Sequence, residues 1–85
     1  MKVTDVRLNI IQSDTAVKAI GSITLDDVLA IRGIRVMGDK NGNKFVAFPS
    51  REKSDGNYED IAFPLTRELY NSITKAVLEE YDNIR

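Results

Sequence analysis

The 85-residue sequence predicts a single α+β domain, residues 1–85, with a small antiparallel β-sheet of four to five strands (1–64) followed by one C-terminal α-helix (65–84). Three observations predict it. Apolar and polar residues alternate through the first strand-like segments, the period of a half-buried strand. Two turn dipeptides, Asn41-Gly42 and Asp55-Gly56, separate short apolar or aromatic stretches in the manner of β-hairpins. Beyond Pro64 the apolar spacing changes from two to three and four, the period of an amphipathic helix.

The first strand runs from Lys2 to Ile11, with Val6, Leu8 and Ile10 on one face and Asp5, Arg7 and Asn9 on the other. A polar turn over residues 12–15 leads to the second, Ala16 to Leu25, where Val17, Ala19, Ile23 and Leu25 share a face with Gly21. A glycine inside a strand predicts a bulge or a close neighbour. Asp26-Asp27 marks a short turn. Val28 to Met37 forms the third strand; both of its faces are largely apolar, and strict alternation puts Arg32 and Arg35 on opposite faces. Such a strand is central or covered on both sides, and at least one arginine needs a carboxylate such as Asp60 or a path to the surface. Gly38–Asn43 is a hairpin loop turning on Asn-Gly, and Phe45 to Phe48 is a strand ended by Pro49. Ser50 to Asn57 reads as an exposed loop and Tyr58 to Phe63 as a short strand closed by Pro64. Thr66 caps the helix, Glu68 suits its positive end, and Tyr70, Ile73, Val77, Tyr81 and Ile84 form its apolar stripe, widened by Leu69 and Ala76.

Composition narrows the chemistry. The chain has neither cysteine nor histidine, so disulfides, common nucleophile–base pairs and ordinary zinc sites are excluded. Without disulfides, so short a chain gains core most readily by oligomerising. No apolar segment approaches the length of a membrane span, and a cytoplasmic, soluble protein is expected. Asp26-Asp27 is a polar turn rather than a cation site, Glu79-Glu80 a solvated helix face, and Asp39–Asn43 lacks the terminal glutamate of a calcium loop. No catalytic residue, metal, cofactor or small-molecule substrate is therefore predicted.

The net charge of −1 hides an asymmetry. Residues 1–51 carry eight basic and five acidic side chains, whereas residues 52–85 carry four and eight. Lys44 beside the first hairpin turn, Arg51 and Lys53 after Pro49, and Arg67 at the helix start are candidate phosphate contacts. The competing use of these charges is ordinary solubility. Phe45, Phe48, Tyr58 and Phe63 could stack on bases, but core packing is the expected use of so small an aromatic set.

Several strings are more distinctive than these patterns: MKVTDVRL at 1–8, KAIGSITLDD at 18–27, GIRVM at 33–37, NGNKFVAFPSR at 41–51, DGNYEDIAFP at 55–64 and AVLEEY at 76–81. In order and spacing the chain resembles the stage V sporulation protein G (SpoVG) family. The resemblance implies a small α+β fold, a homodimer built by strand pairing between subunits, and no enzymatic activity. It implies binding of DNA, and in some bacteria RNA, to regulate genes, with a link to the division septum in sporulating species. Arg51 matches the family's first basic position after Phe-Val-Ala-x-Pro-Ser; Lys53 stands in for a second, which is Glu52 here, and Arg67 matches a basic residue at the helix start approximately. Asn9 and Phe63 also depart from the family pattern, replacing a basic residue and a histidine. Two functions are thus expected of the chain: a dimeric nucleic-acid-binding regulator, or a protein-interaction module in cell division that does not touch nucleic acid.

Overall fold

Four strands pair antiparallel in chain order to form the main sheet: β1 (Val3–Ile10), β2 (Val17–Leu25), β3 (Leu29–Gly38) and β4 (Lys44–Ala47). A separate two-stranded hairpin follows, β5 (Ser50–Glu52) with β6 (Tyr58–Asp60), and then helix α1 (Arg67–Ile84). A computed structural model describes residues 1–12 and 15–85 of the chain. The polar turn expected over 12–15 lies partly outside the described residues.

Helix α1 lies across one face of the main sheet, chiefly against β1 and then β4. Thr66 caps it as expected, its hydroxyl accepting from the Leu69 amide at 3.1 Å. The buried stripe is Ile73, Val77 and Tyr81, which meet Ala19, Ile23, Leu25, Ile34, Val36, Val46 and Phe48 from the sheet. Val6, Leu8 and Ile10 of β1 pack on this core from its edge. Ile23, Ile34, Ile73, Val36 and Val77 are fully buried, and each contributes on the order of 1.5–3 kcal/mol by leaving water.

Two glycines set the sheet's geometry. A Cβ on Gly21 would stand 1.8 Å from the Arg7 carbonyl oxygen, so β1 and β2 approach too closely there for any side chain. The β2–β3 register slips beside it, between Gly21 and Ser22. Opposite, Gly33 has φ +81, a conformation glycine adopts without strain. Ser22 pairs with Arg32 and Gly21 with Ile34, leaving Gly33 as the extra residue. The bulge explains why β3 looks apolar on both faces in a strict alternation. Ile31 and Ile34, three apart, both face the helix; Arg32 and Arg35 both face away, not on opposite faces as alternation predicts.

The turns also differ from expectation. Asp26 and Asp27 both have positive φ, 53 and 59, with the Val28 amide donating to the Leu25 carbonyl at 3.0 Å. The two left-handed residues are those of a tight hairpin turn, but Leu25 pairs with Leu29, so three residues connect the strands. Val28 belongs to the turn, so β3 starts one residue later than predicted. At Asn41-Gly42 only the glycine has positive φ, and the turn closes from the Gly42 amide to the Asp39 carbonyl at 3.2 Å. The second hairpin repeats this loop: the Gly56 amide donates to the Lys53 carbonyl at 3.0 Å. The predicted loop 50–57 is consequently shorter, because Ser50–Glu52 pairs with Tyr58–Asp60. Strand β6 ends at Asp60 rather than at Phe63.

Candidate nucleic-acid interface

The four predicted phosphate contacts do not converge. Lys44 starts β4 and extends toward the helix, its Nζ 5.9 Å from the centre of the Tyr81 ring. Arg67 is the first residue of α1, whereas Tyr81 is in its last turn. Fourteen residues separate them, about 21 Å along the axis. Arg51 and Lys53 belong to a third region, the β5–β6 hairpin, which is exposed from Arg51 to its end at Asp60. Arg51 there is paired with Glu59 across the two strands, Nη2 to Oε1 at 2.8 Å, and Nε donates to the same oxygen at 2.9 Å. Arg51 is therefore neutralised locally, and Lys53 is the arm's other cation, set among the carboxylates Glu52, Asp55, Glu59 and Asp60.

Arg35, unlike Arg51, Lys53 and Arg67, is half-buried. Its Nη2 donates to the Phe48 carbonyl at 3.0 Å and to the Ser50 hydroxyl at 3.4 Å, instead of pairing with Asp60. The guanidinium thus sits at the root of the hairpin arm. The aromatic expectation holds only for Phe48, which is buried against Tyr70 with ring centres 6.1 Å apart. Phe45, Tyr58 and Phe63 are exposed.

Asp39 is committed to its own loop. Oδ1 accepts from the amides of Asn41 and Asn43, each at 2.9 Å, and Oδ2 accepts from the Asn43 side chain at 3.3 Å. The Asn43 amide above all, with the Asn41 amide and the Asn43 side chain, holds this carboxyl below its ordinary value of 3.8 against a smaller opposing effect of desolvation. Among the described residues, no group of three or more carboxylates is placed to hold a metal ion. No helix among them is long and apolar enough to cross a membrane.

A second surface was not anticipated. The β2–β3 turn, the segment after β6 and the start of α1 enclose an apolar groove of about 470 Å³, walled by Met1, Leu25, Leu29, Ile61, Phe63 and Leu65. Leu65 is 89% exposed. A sequence pattern of alternation assigns such residues to strands and says nothing of the groove they form once Pro64 turns the chain toward the helix.

Comparison with known proteins matches nearly the whole chain to one family. The profile of the SpoVG family matches residues 1–83. A protein of Staphylococcus aureus (strain MRSA252) is 46% identical over 84 residues, covering 99% of this chain and 83% of the relative. One from Macrococcus caseolyticus (strain JCSC5402) is 46% identical over 82 residues, covering 96% of this chain and 70% of the relative. One from Staphylococcus carnosus (strain TM300) has the same identity over 82 residues, covering 96% and 76%. All three carry the name "Putative septation protein SpoVG". A match over 83 of 85 residues takes in every strand, both glycine-closed hairpin loops and all but the last residue of the helix, and the chain belongs to the SpoVG family.

Proposed function

We infer that this protein is a cytoplasmic, dimeric nucleic-acid-binding regulator, acting on DNA or RNA, with a role in septation and sporulation. The observation that carries the reading is the projecting β5–β6 arm, whose cations Arg51 and Lys53 stand clear of the core. Mobile or projecting cations contact phosphates without reading sequence. Arg67 at the helix start and Lys44 at the β4 edge add contacts elsewhere on the surface. The septation role rests on the names of the relatives. Dimerisation rests on the apolar groove, whose walls favour burial against a second copy. The chain acts by binding rather than by catalysis, a reading that rests on its lack of histidine and cysteine.

The groove also supports the second reading, a protein-interaction module of the division machinery with no nucleic-acid contact. One titration separates the two. Anisotropy of a labelled DNA or RNA fragment is followed at several salt concentrations with the unmodified protein and with Arg51→Ala/Lys53→Ala. The double variant is expected to bind more weakly, with a salt slope smaller by up to about two units on duplex. Equal affinity and slope would remove the arm from the interface, and an absence of binding at low salt would favour the interaction module.

A further inference from the structure

Among the described residues, no helix or strand is packed across the face of the main sheet turned away from α1; the root of β5 touches it at Arg35, through Ser50. Register and burial place its residues in rows that cross the strands. Arg7, Ser22 and Arg32 form one row; Asn9, Ile20, Arg35 and Ala47 form the next; Met37 and Phe45 pair beyond them. Three guanidinium groups thus border an apolar strip of Ile20, Met37 and Phe45, of which Ile20 is 41% and Phe45 47% exposed. The carboxylate in these neighbouring rows, Asp5, is taken up by Arg7 at 2.9 Å. The Gly33 bulge is what brings Arg32 and Arg35 to the same side. Arg35 is fixed by Phe48 and Ser50, so little side-chain freedom remains for it to lose on binding.

We propose that this uncovered sheet face is a platform for single-stranded nucleic acid, with phosphates on Arg32 and Arg35 and a base stacked on Phe45 beside Met37 and Ile20. The proposal rests on the nucleic-acid reading above but assigns a different surface from the hairpin arm. Charge selects the ligand: cations beside a flat apolar strip match a polyanion whose uncharged faces are also flat. A second copy fits poorly. Two such faces brought together would bury guanidinium groups of both copies in one contact with few carboxylates to pair them, and like charges oppose such contact. A duplex fits poorly too, because its bases are stacked inward and offer Phe45 no free face.

The test uses the full chain with fluorescein-labelled oligo-thymidylate and oligo-uridylate 12-mers and a mixed-sequence duplex of equal length. Phe45→Ala, which changes no charge, is expected to weaken single-strand binding by about tenfold or more while leaving duplex binding and the salt slope unchanged. Arg32→Ala is expected to reduce the single-strand salt slope by about 0.7. Both side chains are exposed, and unchanged urea midpoints confirm that the variants fold. If neither variant changes single-strand binding while Arg51→Ala/Lys53→Ala weakens it, the sheet-face assignment falls and the nucleic-acid reading stands. If the unmodified protein binds none of the three probes, both fall. Dissociation of an oligomer by Phe45→Ala would make this face a contact between copies and overturn the proposal. So would equal competition by poly-glutamate, which would show an acidic-protein surface instead.

Discussion

The hydroxyl of Thr74 is buried beside the core with no hydrogen-bond partner among the described residues. A buried hydroxyl without a partner loses its water and gains nothing in return, a cost of about 1–3 kcal/mol. Valine has nearly the same shape, keeps the β-branch already tolerated at this point of α1 and removes the unpaired oxygen. Thr74→Val is therefore expected to stabilise the protein by about 1 kcal/mol, seen as a higher urea midpoint at unchanged m-value. A lower midpoint would mean that the hydroxyl is satisfied by water in solution. Arg51 illustrates the opposite condition at the surface. Its pair with Glu59 is exposed, so it adds little stability, yet it decides how much of the guanidinium is free for a phosphate. Nothing in the sequence spacing of Arg51 and Glu59 announces that pairing; it exists because Ser50–Glu52 turned out to be a strand in register with Tyr58–Asp60.

Between residues and the whole lie the hairpin loops, and the chain uses one solution twice. In 39–43 and in 53–57 a turn of four residues closes on a glycine, and an aspartate accepts from the amide two positions on, from the first position of one loop and the third of the other: Asp39 from Asn41, Asp55 from Asn57. The existence of these loops was legible from Asn-Gly and Asp-Gly, and so were the first two strands and the helix with its cap. The faces of β3 were not. One extra residue at Gly33 reverses the alternation, and periodicity alone cannot tell a bulge from a strand buried on both sides. The candidate site was less legible still, because the separation of Lys44 from Arg67 depends on how α1 lies on the sheet. The loop at 39–43 makes a prediction about acid. Asp39 has a folded-state value lowered from 3.8, so its ionised form favours the closed loop. The contribution is present above 3.8 and is lost as pH falls from there through the lower folded value. In an NMR titration the Asp39 carboxyl should show a midpoint below 3.8, with the Asn41 and Asn43 amide shifts moving at the same midpoint. Asp39→Ala should reproduce the acid-form amide environment at neutral pH, and amide shifts indifferent to both changes would sink the account.

At the scale of the whole molecule, the helix uses one face of a four-stranded sheet and leaves three different surfaces outside it. The sheet's far face is cationic and partly apolar, the hairpin arm is polar, and the groove beside Leu65 is apolar. A molecule of 9.5 kDa buries a smaller fraction of its surface than a larger domain does, and the groove is where more burial is to be had. Leu65 and Ile61 are both exposed and contribute little to the monomer's core, so charging them should leave the fold intact. If the groove receives a second copy, two introduced carboxylates would be desolvated in an apolar contact without partners, a cost large enough to separate the subunits. Light scattering at micromolar concentration should then give a dimer for the unmodified protein and a mass of 9.5 kDa for Leu65→Asp/Ile61→Asp. The same variant should bind a long nucleic acid more weakly than the dimer while matching it on a fragment that reaches one site only, since linked sites gain avidity and isolated ones do not. A mass unaffected by the substitutions would place the subunit contact elsewhere, and a monomeric unmodified protein would assign the groove to another partner.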